Sequence, residues 1–322
     1  MKVRTRSQGR KYRWQVVVGF LVGLWLSACG AAVTNQADTG VEAQPNVVST
    51  STIITDWATQ IGGQIQLTGI LQPGDDPHVY EPVPRDSIAF ERADLILYNG
   101  YNLEPGLIRL MNAAGVDARK LAVGEVVQPL QLEADGTTVP DPHVWGNVEN
   151  AIAMVNAIRD AFSELLPEQQ EILRQNAANY TAQLQQLHTW VAQQIQTIPP
   201  ENRRLVTTHD AFQYYANAYG LEIFGTLIGI STEEQPSAQT VRQLSDAIRD
   251  ANVPTIFAET TINPALIQTV AAEAGVELAT QPLYSDSIGP PGSEADSYIS
   301  MIVVNTRTIV EALGGNYTPF SM

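Results

Sequence analysis

Two of the chain's four histidines occupy the same tetrapeptide: His78 lies in GDDPHVYEP (74–82) and His143 in PDPHVWGN (140–147). In Asp-Pro-His the proline limits its own backbone and drives the residue before it toward extended conformation. Each loop therefore holds an imidazole in a defined place, as a metal ligand must be held. His209 stands in LVTTHDAF (205–212), where a strand pattern gives way to a helix pattern. In open α/β sheets, ligands bind at the carboxyl ends of strands, so this imidazole is a third candidate donor. The remaining histidine, His188, sits within a helical pattern between Leu187 and Trp190, a packing position. Neutral imidazoles bind divalent transition metals, and a carboxylate would complete a four-donor set. Two acids are placed to supply it. Asp286 follows a strand pattern at 276–280, and Glu259 ends another at 254–259.

The elements that must position these donors alternate in type. Strand patterns at 64–71, 94–99, 203–208, 221–227, 254–259 and 276–280 are interleaved with amphipathic helices such as 238–251 and 264–274. This alternation predicts an α/β fold with mostly parallel sheets. One segment breaks the rhythm. Residues 167–197 contain no internal proline or glycine after Pro167, and Leu173, Ala177, Tyr180, Leu184, Leu187, Val191 and Ile195 recur in steps of three and four. That spacing marks one face of a helix. Pro167 suits a first-turn position, and Pro199-Pro200 stops the run. At about 1.5 Å per residue such a helix reaches roughly 46 Å, long enough to join two lobes as a strut. The segment 148–165 before it is also helical in pattern.

Composition narrows the setting. A chain of 322 residues can build two domains with a core each. Its 44% hydrophobic and 16% charged residues are those of a globular protein. Lys+Arg 18 against Asp+Glu 34, a net charge of −16, disfavours nucleic acid as a partner and suits the handling of cations. The N-terminus is basic, with Lys2, Arg4, Arg6, Arg10, Lys11 and Arg13, and then apolar from Trp14 to Leu26. That apolar run is short for a membrane span of roughly 20 residues and reads as a secretory signal. It ends in Leu26-Ser27-Ala28-Cys29, similar to a bacterial lipobox whose cysteine is lipidated. Removing the leader makes the chain more acidic by six charges. Cys29 is the sole cysteine, so no disulfide framework exists. The small, polar residues 30–45 have the character of a tether.

Taken together, these residues resemble the metal-binding lipoproteins of bacterial ABC importers, the cluster A-I or zinc/manganese class. The likeness runs over nearly the whole mature chain and is strongest at 74–102, 141–145, 206–220, 229–239 and 283–298. It implies that His78, His143, His209 and Asp286 hold one metal ion, with Glu259 as a supporting residue or alternative ligand. It also implies two α/β lobes joined by one long linking helix, with the metal between them. The division expected is a signal peptide at 1–28, a lipidated tether at 29–45, an N-terminal metal-binding lobe at 46–160, a linking helix at 161–198 and a C-terminal metal-binding lobe at 199–322. Both DPHV loops then serve the first lobe, each supplying one imidazole to a single site. The implied partners are an ABC permease and its ATPase, with the membrane reached through Cys29. The implied location is extracytoplasmic, on the periplasmic side in a Gram-negative cell.

Three imidazoles and a carboxylate suit Zn2+, and they accept Mn2+ if the carboxylate is bidentate. Zinc binds more tightly than manganese in almost any such site, so affinity alone does not identify the cargo. Zinc-dedicated members often carry a long His- and acid-rich loop before the second histidine, whereas residues 130–142 here hold acids and no histidine. Many manganese members have glutamate where this chain has His209. The balance favours Mn2+ as the cargo, with Zn2+ the alternative. A zinc-dependent hydrolase is the rival class, but four protein donors leave no coordination position for an activated water. No HExxH, GxSxG or P-loop pattern occurs, and the chain is expected not to be an enzyme. Exposed lipoproteins of this kind can serve in cell adhesion as well, in addition to capturing metal.

Overall fold

A computed structural model describes residues 44–62, 65–134 and 136–321. The expected signal peptide, Cys29 and all but the last two residues of the expected tether lie outside the described residues. Strands β1 (Asn46–Ser49), β2 (Gln66–Gly69), β3 (Leu95–Tyr98) and β4 (Arg119–Ala122) form an all-parallel sheet in the order β2-β1-β3-β4. The central strands are apolar on both faces, as a sheet covered on both sides requires. Val47, Leu95 and Leu97 enter one core, and Val48 and Ile96 enter another. Helix α1 (Thr52–Ile61) covers the first face, and α2 (Pro84–Glu91) and α3 (Pro105–Ala114) cover the second. The Ser51 hydroxyl caps α1 by accepting from the Ile54 N–H at 3.2 Å, whereas α2 and α3 both begin at prolines. An antiparallel hairpin, β5 (Gln131–Ala134) and β6 (Thr137–Pro140), leads into helix α4 (Val148–Leu165).

Helix α5 runs from Gln170 to Gln196 and is about 40 Å long. The expected linking segment 161–198 is not one helix. Helix α4 ends at Leu165, Pro167 to Gln169 form a single 3-10 turn, and α5 starts only after it. The cause is Pro167, which has no N–H to continue a helix from Leu165. Every apolar residue expected on the inner face of α5 is buried. That face packs on α4 and α1 and also on the helices of the second half, so α5 lies along both halves and is no free-standing strut. Leu184 is fully buried at its middle. Leu184→Ala should cost about 2–5 kcal/mol, read as a lower urea midpoint with an unchanged fold by circular dichroism.

The second half repeats the strand order of the first. Strand β7 (Arg204–Thr207) pairs in parallel with β8 (Glu222–Thr226), and β9 (Thr255–Ile256) pairs in parallel with β10 (Glu277–Leu278). The Phe257 N–H donates to the Val206 carbonyl at 2.9 Å, so the two pairs meet edge to edge in the order β8-β7-β9-β10. Helices α6 (Gln213–Tyr219), α7 (Ala238–Asp250), α8 (Ala265–Ala274) and α9 (Tyr298–Ala312) complete it. Glycines with positive φ, Gly220 and Gly275, end α6 and α8. One core runs from Trp57 and Phe162 through α5 to Tyr215, Tyr298 and Ile302, and two outer cores lie against the far sheet faces. Each expected strand region contains an observed strand. Strands β1, β4 and the hairpin carry no expectation; β4 is half basic and so lacks an apolar strand pattern. Among the described residues, no helix is long and apolar enough to cross a membrane.

Candidate metal centre

The four expected donors come from four loops. His78 follows β2, His143 follows β6, His209 follows β7 and Asp286 follows a single parallel bridge between Glu259 and Leu283. The tetrapeptide works in the same local way in both places. The Asp76 and Asp141 Oδ1 atoms each accept from the backbone N–H of the histidine two residues later, at 2.9 Å. This carboxylate-closed turn is what Asp-Pro-His encodes beyond the stiffness of its proline. Asn99 Nδ2 donates to the Pro142 carbonyl at 2.9 Å and ties the second loop to the end of β3. Asn99 in turn gives its backbone N–H to Glu104 at 2.7 Å. Glu104 is fully enclosed, and burial pushes its carboxyl up to about 7.

The structure brings His78, His143, His209 and Asp286 together, with one potential ligand atom from each lying within 4.8 Å of the others. His78 Nε2 is 3.2 Å from His143 Nε2. The Asp286 carboxylate borders both other rings, with Oδ1 3.5 Å from His143 Nε2 and Oδ2 3.4 Å from His209 Nε2. All four side chains are buried. His209 Nε2 and Asp286 Oδ1 have no hydrogen-bond partner, which is costly inside a protein unless a cation answers them. His188 is elsewhere, on α5, with Nδ1 3.2 Å from the Tyr219 hydroxyl.

Glu259 stands behind His209, not among the converging atoms. It accepts the backbone N–H of His209 at 2.8 Å and takes the ring Nδ1 on its other oxygen. Asp141 does the same for His143, with its Oδ1 2.8 Å from Nδ1. Such carboxylates fix the tautomer, leave Nε2 to the metal and raise its basicity. Asp141 and Asp76 escaped the reading of the sequence. The signal for them was present, an aspartate two residues before each histidine. Trp145 also contributes, with its ring edge-on to His143 and its Nε1 donating to the Ser285 carbonyl at 2.9 Å.

The charges within the cage are unequal. Burial drives the His78 imidazolium down to about 3, outweighing the pull of Asp286. For His209 burial acts in the same direction, but the Glu259 and Asp286 carboxylates overcome it and hold the ring well above its usual range. Burial opposes ionisation of Asp286, yet His209 above all, then His143 and His78, keep it well below the usual carboxylate range. A dication entering the cage therefore meets an ionised carboxylate and a proton on His209 that it must displace.

Paired parallel-sheet halves with a buried cage of three imidazoles and a carboxylate between them define a two-lobed α/β solute-binding protein, built to enclose an ion. Comparison with known proteins places it further. The model of a family described as zinc-uptake complex component A, periplasmic, matches residues 47–312. The manganese-binding lipoprotein MntA of Halalkalibacterium halodurans is 34% identical over 295 residues, covering 91% of this chain and 96% of that protein. The manganese ABC transporter substrate-binding lipoprotein PsaA of Streptococcus pneumoniae is 34% identical over 306 residues, covering 92% and 98%. The solved structure of the periplasmic zinc binding protein TroA from Treponema pallidum superposes with a TM-score of 0.79 at 33% identity, covering 84% of this chain and 99% of that one. The chain belongs to this family of substrate-binding lipoproteins of ABC importers, which are binding components and not enzymes.

Proposed function

We propose that this protein captures one divalent transition-metal ion outside the cytoplasm, through His78, His143, His209 and Asp286, and delivers it to an ABC permease and its ATPase. The observation that carries the reading is the convergence of three imidazoles and one carboxylate, all buried, with a potential ligand atom of each within 4.8 Å of the others. Residues 46–160 and 199–322 act as the two metal-binding lobes, with α5 the main element between them. Manganese is the favoured cargo and zinc the alternative. Two observations support manganese. Relatives that match over nearly their whole length are named for it. Both oxygens of Asp286 also border the cage, one beside His143 and one beside His209, which suits the bidentate carboxylate that manganese prefers over a four-coordinate zinc set. The zinc-binding relative TroA keeps zinc as the alternative.

The test is metal content in cells. A deletion strain should accumulate less manganese, with zinc unchanged, and regain it on complementation. A zinc deficit alone would reassign the cargo, and no deficit in either metal would sink the proposal. Anchoring is tested separately. Leu26-Ser27-Ala28-Cys29 after a basic and apolar leader supports lipidation at Cys29, on the periplasmic side in a Gram-negative cell. Mass spectrometry should find diacylglycerol on Cys29, and Cys29→Ser should move the protein out of the membrane fraction or leave it unprocessed. An unmodified Cys29 in mature wild-type protein would remove the anchor.

A further inference from the structure

The repeated tetrapeptide serves two different ends. In the second copy, Asp141 Oδ1 accepts from both the backbone N–H and the ring of His143. In the first copy, Asp76 Oδ1 accepts only the backbone N–H of His78, and its Oδ2 accepts from the Thr232 hydroxyl at 2.7 Å. Thr232 belongs to the second half, in the loop between β8 and α7. Glu259 supports the ring of His209. Among the three imidazoles of the cage, His78 is therefore the one with no carboxylate behind its ring. It is the least firmly oriented donor.

His78 is also the donor nearest to solvent. It lines a cleft of roughly 790 Å³ together with Tyr101, Arg109, Glu125, Glu233 and Glu234, whereas His143, His209 and Asp286 do not line it. Two contacts from the second half grip its loop. Thr232 holds Asp76, and the Gly74 N–H donates at 3.1 Å to the hydroxyl of Ser287, the neighbour of Asp286. Gly74 has a φ of +93° and open space where a Cβ would project, so the backbone at this end of the loop is free of side-chain constraint.

We propose that the ion enters and leaves past His78, and that the Thr232–Asp76 hydrogen bond is the latch that closes this loop over it and sets the rate of release. The proposal rests on the metal-binding reading above. The two partners of the bond come from opposite halves, so the bond exists only while the cleft is closed. A hydroxyl bonded to a carboxylate is stronger than a neutral pair, and its loss leaves the turn at Asp76 and the Ser287 contact in place. The loop then opens more often without unfolding.

The experiment uses the full chain loaded with Zn2+ or Mn2+ and follows release into excess chelator by stopped flow. Thr232→Val, which removes the hydroxyl and keeps the shape, should speed release about tenfold. Thr232→Ser, which keeps the hydroxyl, should restore the wild-type rate. Thr189→Val makes the same change on the exposed side of α5 and should do nothing. Release unchanged in Thr232→Val, or equally fast in Thr232→Ser, would overturn the latch while leaving metal binding intact. A wild-type protein that retains neither metal would overturn the functional reading itself, and the latch with it.

Discussion

His143→Ala and His209→Ala should each lower metal affinity by about 100-fold or more, because even loss of a residue that merely supports a ligand costs 10–100-fold. His78→Ala should lose affinity on the same scale, but the metal-free proteins should behave differently. Removing the His209 ring strips Glu259 and Asp286, both buried, of the group that carries charge between them. Breaking a buried pair on one side destabilises by about 3–5 kcal/mol. Metal-free His209→Ala should therefore unfold at markedly lower urea, and His78→Ala, whose ring no carboxylate supports, should not. His188→Ala should leave affinity unchanged, since that ring, on α5, pairs with Tyr219 and is not among the converging donors. Competition with a chelator of known affinity, run with both metals, measures the first effect and urea unfolding the second. Affinity loss at His188 equal to the others would mean that the site is misplaced, and unchanged affinity at His209 would move the second-half donors elsewhere.

Affinity should also fall on acidification, with a slope that the charges of the cage dictate. In the metal-free protein His209 is held protonated above its usual range, so metal must displace that proton. Below the pKa of His209 the apparent affinity then drops about tenfold for each pH unit. His78, driven down to about 3, adds no competing proton in that window. Asp286, held below the usual carboxylate range, stays ionised and adds none either. A plot of log affinity against pH should thus have a slope near one, from the single proton on His209. Three ordinary histidines near 6.5 would approach a slope of three below pH 6. Isothermal titration in buffers of different ionisation enthalpy counts the released protons directly. A flat profile would show that the carboxylates, not the imidazoles, do most of the coordination.

The sequence marked three candidate histidines and two candidate acids, because their signals are local. A proline before a histidine, a histidine at the end of a strand pattern and an aspartate in a following loop are all readable within a few residues. The α/β alternation and the buried face of α5 were legible for the same reason, since both are periodicities of near neighbours. The break between α4 and α5 was also local in cause, a proline at 167, but the expected linking segment ran back to 161 because 148–165 is helical in pattern as well. Tertiary structure alone decided which carboxylate faces the cage of imidazoles. Asp286 and Glu259 follow similar strand patterns, and only the packing of β9 against β7 turns Glu259 behind His209 and leaves Asp286 toward the cage. It also decided that two identical tetrapeptides differ in use. Asp141 meets its own imidazole, while Asp76 meets Thr232, a residue 156 positions away. The charges of His78 and His209 were set in the same way, because a pKa depends on burial and on charges a few ångströms distant, and those neighbours are brought together by folding and not by the order of the chain.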